Sequence, residues 1–243
     1  MPALSGGVQG SAAFDFVAMT STRRAADTAP TTRLSTERST VPSARAPRAW
    51  LRPVAIGVVA IVVAHLLDEM AWRSWRDPRV YERDWGRLLR SIGYLPTWLI
   101  IAIGCWTHDR PALGWRWRGG LMILAPLVGG AVAELLKLVF RRLRPDAETF
   151  GYVFRAFSER PFANGGLGLP SSHVLVAFAG ATAMARVFPR AAWLWYALAG
   201  GCALTRVMAN AHYFSDTVAA AVFGWFVGEL LSRWMLRRRE IYG

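Results

Sequence analysis

The chain has 243 residues, 53% of them hydrophobic, and a net charge of +13. Six apolar runs of roughly 15 to 20 residues exclude an ordinary soluble domain and point to a polytopic, all-α membrane protein, because such runs are about what a helix needs to cross a bilayer. The excess of arginine does not make nucleic acid a partner. It flanks the apolar runs and fills the first fifty residues, where topology and anionic lipid account for it.

Residues 1–49 are rich in Ser, Thr, Ala, Pro and Arg, with little periodicity. A segment of that composition cannot bury enough apolar surface to offset its ordering entropy. It reads as a disordered basic tail preceding a membrane domain over 50–243. It lacks the compact apolar core of a signal peptide, and Met19 offers a second possible start.

The first expected span covers Leu51 to Trp72, with Asp68 and Glu69 near its far end. A connector over 73–90 follows, carrying six arginines and three acids. Its Arg76, Arg79, Arg83, Arg87 and Arg90 recur at three- and four-residue steps with aromatic and leucine residues between. That spacing suits either a helix lying flat on the membrane or a solvated connector. The second span is expected over Ser91–Thr107 and the third over Gly119–Phe140. Helix is the form assigned to each, since lipid does not tolerate unpaired backbone.

The third span ends in KLVFRRLRP, residues 137–145. Lys137 is the single lysine among 29 basic residues. Lys137, Arg141 and Arg144 fall at i, i+4 and i+7, so they share one face if the helix continues outward. Three stacked cations at a membrane surface make an anion site, and the arginine fork suits phosphate oxygens. Snorkelling anchors are the plainer alternative. Glu134, one turn earlier, reads as a counter-charge for Lys137.

A loop over Arg141–Pro170 leads to GLGLPSSH, residues 166–173, at the start of the fourth span (Ser171–Phe188). The N–H groups of Ser171 and Ser172 then sit at a helix N-terminus, a site suited to anions. Both serines are equally good helix caps. His173, at the entrance to a membrane helix, is placed to pass a proton to a leaving group.

The fifth span (Ala191–Ala211) carries Arg206 near its end, and the sixth (Ser215–Met235) follows directly. Between them stands TRVMANAHYFSD, residues 205–216. Four residues of near-helical chain would let the Asp216 carboxylate reach one nitrogen of His212 and leave the other free to attack. Charge inside a membrane segment is costly and usually functional, which marks Arg206. Cys105 and Cys202 lie in apolar runs and read as small core residues.

Arginine counts place the tail, the Arg110–Arg118 loop, the Arg186–Arg190 turn and the Arg237–Arg239 terminus on one side. Both termini are then cytoplasmic, and the long loop with His212 faces the periplasm or cell exterior. The connector over 73–90 is the exception to that count.

A histidine paired with a carboxylate, a second histidine, several cations and a helix N-terminus suit phosphoryl transfer through a phosphohistidine. No carboxylate cluster resembles a hard-metal site, and two histidines without further ligands make a poor zinc site, so no metal or other cofactor is expected. The triple pattern Lys137-x6-Arg144-Pro145, Pro170-Ser171-Ser172-His173 and Thr205-Arg206-x5-His212-x3-Asp216 resembles the type 2 phosphatidic acid phosphatase superfamily, which also contains soluble vanadium haloperoxidases. Two positions depart from the family pattern: Ser172 replaces glycine and Thr205 replaces serine.

The resemblance implies a six-helix membrane bundle that hydrolyses a lipid phosphate or diphosphate without metal. It implies His212 as nucleophile, Asp216 as its orienting group and His173 as acid and base. Lys137, Arg144, Arg206 and the N–H groups of Ser171 and Ser172 would hold the phosphoryl oxygens. A phosphotransferase using the same phosphoenzyme, or a headgroup-binding protein without turnover, are the alternative readings.

Overall fold

The computed structural model describes residues 48–108 and 116–242. These belong to a compact unit spanning Ala44–Gly243. The chain forms helices α1 (Arg48–Leu66), α2 (Asp68–Ser74), α3 (Asp84–Ser91), α4 (Leu95–His108), α5 (Arg116–Phe140), α6 (Ser172–Val187), α7 (Ala192–Met208) and α8 (Phe214–Tyr242). Among the described residues there is no strand, only two isolated bridges in the loop after α5. The tail expected over 1–49 lies outside the described residues except at its end, as does Arg110.

Helix α6 is the centre of the bundle. It packs against α8, α5 and α7, and its residues from Val174 to Met184 are almost all buried. Its sequence, rich in alanine with one glycine, permits this by letting backbones approach closely, the device membrane helices use in place of a hydrophobic driving force. Gly224 and Gly228 of α8 form the matching strip. A Cβ at Gly224 would stand 2.6 Å from the carbonyl oxygen of Leu175, and one at Gly228 2.6 Å from that of Ala179. On the opposite side, the indole of Trp98 from α4 lies against Gly180.

Among the described residues, two helices, Trp117–Phe140 and Phe214–Arg238, are long and apolar enough to cross a membrane, and the number rises to as many as four if each of two bent pairs is one crossing. The chain is an integral membrane protein. Each expected span coincides with a helix, but two are broken. The first is interrupted at Leu67, where α1 and α2 bend by 52°. A charged residue at the centre of a membrane helix costs about 2.5–3.5 kcal/mol on insertion scales. The bend turns Asp68 inward, where it is 1% exposed and fully engaged. The second expected span begins late. Helix α4 has 14 residues, about 21 Å at 1.5 Å per residue, and joins α3 at 69°. Gly93 sits in that bend against α6, where a Cβ would fall 2.7 Å from the Cβ of His173.

Of the two readings open for the 73–90 connector, a surface helix and a solvated connector, the structure has, beyond the end of α2, helix only in its last part. That helix is α3, fixed onto α7. Gly201 accommodates Leu89, and Gly86 lies against the carbonyl of Val80.

Candidate active site

The C-terminal ends of α5 and α7 and the N-terminal ends of α6 and α8 lie at one end of the bundle. They bring Lys137, Ser171, Ser172, His173, Arg206, His212 and Asp216 into one neighbourhood. The charges of Arg206, His212, Lys137 and Arg90 all bear on the His173 imidazole, and those of Asp216, Arg206 and Arg144 on His212.

His212 lies between α7 and α8 and is 3% exposed. Its Nδ1 is 2.8 Å from the carbonyl oxygen of Gly168. A carbonyl only accepts, so Nδ1 carries the proton and Nε2 keeps its lone pair. Asp216 does not make the contact expected of it. Its nearer oxygen is 3.8 Å from Nδ1, beyond hydrogen-bond reach. The carboxylate is instead held by the Tyr213 N–H at 2.9 Å and by the guanidinium of Arg142, whose Nε lies at 3.0 Å. It stands beside the ring as a buried negative charge while the Gly168 carbonyl sets the tautomer. Burial nevertheless lowers the His212 pKa to about 4, outweighing the upward pull of Asp216, so the ring is neutral at physiological pH.

The loop over 141–170 supplies that carbonyl. Helix α5 ends at Phe140, and Arg141 has φ +54°, a left-handed conformation uncommon for a residue with a side chain. This overturns the single face expected for Lys137, Arg141 and Arg144. Arg141 is 2% exposed and donates to the carbonyls of Arg155, Ala156, Glu159 and Pro161, folding the loop back on itself. It is a structural clamp. Main-chain bonds from Leu143 to Val153, Arg144 to Gly166 and Gly168 to Arg142 complete the fold. Arg144 leaves this loop with its side chain exposed.

Lys137, in the last turn of α5, is 6% exposed. Its ammonium is 2.8 Å from Glu134 and also bonds the hydroxyl of Ser172. Ser172 donates to Glu134 at 2.6 Å, and Asn164 reaches the other carboxylate oxygen at 2.7 Å. Glu134 is thus the counter-charge expected for Lys137, and it also draws the Ser172 side chain sideways. Ser171 holds the N-cap position of α6 without a capping bond. Its N–H points to the Asp216 carbonyl at a long 3.4 Å, and its buried hydroxyl has no partner. His173 Nε2 and Arg206 Nε are likewise buried without partners. Buried polar groups are nearly always satisfied. Three that are not, on Ser171, His173 and Arg206, come from two of the motifs and lie at this end of the bundle.

Arg206 donates from Nη1 to the Tyr81 hydroxyl at 3.0 Å, and that hydroxyl donates to the Thr205 carbonyl at 3.1 Å. Thr205 bonds back to Cys202 at 2.8 Å, so threonine keeps a hydroxyl role at this position. A cleft of about 530 Å³ opens beside His173, Ser172 and Glu134 and runs along apolar residues of α4, α5 and α6, among them Leu95, Leu127 and Val176.

Several important residues were not marked by sequence. Arg142, 3% exposed, pairs with Asp216 and bonds Ser215 at 2.8 Å, with its guanidinium 5.1 and 5.0 Å from the rings of Tyr152 and Tyr213. Asp68 accepts from the Ser215 N–H at 2.7 Å and the Tyr152 hydroxyl at 2.9 Å, so it caps α8 from a distant part of the chain. The one available signal was an acid inside an apolar span. Among the described residues no cluster of three His, Cys, Asp or Glu side chains is arranged to hold a metal ion.

A family model described as the PAP2 superfamily matches residues 118–240. Two lipid A 1-phosphatases, from Rhizobium johnstonii and Rhizobium etli, are each 36% identical to the chain over 118 residues. The match covers 47% of this chain and 47% and 50% of those relatives, so the chain spans about half the length of the curated relatives it matches. No solved structure matches.

Proposed function

The chain belongs to the PAP2 superfamily, and from that membership we propose that it hydrolyses the phosphate of a membrane lipid, without metal, through a phosphohistidine. Nε2 of His212 attacks phosphorus. His173 gives its proton to the departing oxygen, then takes one from the water that releases inorganic phosphate and restores His212. Lys137, Arg144, Arg206 and the first-turn N–H groups of α6 hold the phosphoryl oxygens as charge builds on them. The observation that carries the reading is the bond from His212 Nδ1 to the Gly168 carbonyl, which leaves the lone pair of the opposite nitrogen available for attack.

The names of the two relatives make a lipid A-type glycolipid bearing a 1-phosphate the first substrate to test. The cleft beside His173 supports a lipid of that kind, since it joins a polar mouth to an apolar wall. We further propose that α1 with α2, α3 with α4, and α5 to α8 make six crossings in a cell membrane. The site then lies at the periplasmic face and both termini in the cytoplasm.

Phosphate release by the detergent-purified protein, with EDTA present, tests the proposal. The wild type is expected to turn over, and His212→Ala to be inactive and to form no acid-labile phosphoenzyme. Turnover that persists in His212→Ala overturns the mechanism.

A further inference from the structure

Arg90 lies in none of the three motifs. It sits near the end of α3, yet its guanidinium is 4.6 Å from the centre of the Tyr81 ring and 5.5 Å from that of Tyr94. Tyr81 is the partner of Arg206 through its hydroxyl. The Tyr94 ring meets His173 edge-on at 4.9 Å. Arg90 is therefore one aromatic ring away from two motif residues of the site, and Gly93 and Gly201 hold the segment there by close packing on α6 and α7.

Stacking engages the face of a guanidinium and leaves its in-plane N–H donors free. The Nε of Arg90 is buried and has no hydrogen-bond partner. A buried, charged donor without an acceptor is costly, and the two motif residues reached through those rings, His173 and Arg206, each carry a buried nitrogen in the same condition. The charge count points the same way. Lys137 is already paired with Glu134 at 2.8 Å, so one of the two buried motif cations, Lys137 and Arg206, is largely neutralised before an anion arrives.

We infer that Arg90 is a further phosphate-binding residue, whose guanidinium closes the anion pocket beside His173 and Arg206 and takes phosphoryl oxygens of the bound ligand. For a substrate this rests on the proposed hydrolysis; for anion binding it does not. Arg90 also gives the connector over 73–90 a function in recognition, since it delivers a cation that the motif spacing does not contain.

The test uses the full chain in detergent, with inorganic phosphate and orthovanadate as probes. Each is expected to raise the thermal unfolding midpoint of the wild type. Arg90→Gln, which removes the charge and the stacked guanidinium, is expected to weaken both by about 10- to 100-fold, as loss of a charge-assisted bond does. Arg90→Lys restores part of the affinity if charge near the pocket is what matters. A wild type that hydrolyses lipid while Arg90→Gln binds both anions as tightly overturns the inference and leaves the function standing. A wild type that releases no phosphate from any lipid, yet binds vanadate through Arg90, does the reverse. Absence of any anion response in the wild type overturns both.

Discussion

His212 is fixed by Gly168. The Nδ1-to-carbonyl distance of 2.8 Å is a full ångström shorter than the 3.8 Å from Nδ1 to Asp216. The acid four residues on serves chiefly to hold Arg142 and the start of α8, and acts on the imidazole through its field.

Asp216→Asn is accordingly expected to lower activity less than His212→Ala while costing substantial stability. Breaking one side of a buried ion pair typically costs about 3–5 kcal/mol. Arg142→Met should be destabilising alone, and the double variant Arg142→Met/Asp216→Asn should recover part of the loss. A double-mutant cycle on thermal unfolding in detergent measures this, with a coupling of about 1–3 kcal/mol expected. Additive effects would contradict the network.

The pH dependence follows from the buried ring. On the proposed mechanism His212 attacks as a neutral ring, and its pKa in the folded protein is lowered by burial to about 4. Titration of His212 should therefore add no fall in kcat/KM near the ordinary imidazole value of about 6.5, and the loss it causes should come only as pH approaches 4. The same shift destabilises the fold in acid. The unfolded ring takes its proton first, so stability present above about pH 6.5 is lost as pH falls toward 4.

Glu134→Gln removes the negative charge 2.8 Å from the Lys137 ammonium while keeping an amide for Ser172. Inorganic phosphate should then inhibit roughly five-fold more tightly, the effect of about 1 kcal/mol expected of a partly solvated charge at that range. Inhibition constants for phosphate check it. Weaker inhibition would mean that Glu134 positions Lys137 more than it neutralises it.

Gly228→Ala probes the contact between α6 and α8. The added Cβ would lie 2.6 Å from the Ala179 carbonyl and 2.7 Å from the Thr182 Cβ. A destabilisation of about 1–3 kcal/mol is expected from overpacking. Gly200→Ala, where nothing stands within 4 Å, is the control and should unfold like the wild type.

Residues within one short segment were legible from sequence. Lys137, Ser172, His173, Arg206 and His212 all reach the same end of the bundle because helix length and order alone put them there. What was illegible depends on contacts that spacing does not encode. Arg142 meets Asp216 across 74 positions and Asp68 meets Ser215 across 147. Arg141 fits a helical period but begins a turn instead, because a left-handed residue ends α5. The breaks at Leu67 and Gly93 were hidden for a related reason: hydropathy averages over a bend, while the bend exists to satisfy one carboxylate and one close approach. Arg90 was seen as part of a stripe, and the packing of its segment depends on two glycines, Gly93 against His173 and Gly201 against Leu89, whose neighbours lie far off in the chain.

Arg141 ties four carbonyls of the loop that ends in Gly168. The orientation of the His212 ring is therefore inherited from the closure of a peptide segment. A change in that loop that displaces the Gly168 carbonyl would reach the imidazole from a distance, without altering any side chain of the three motifs.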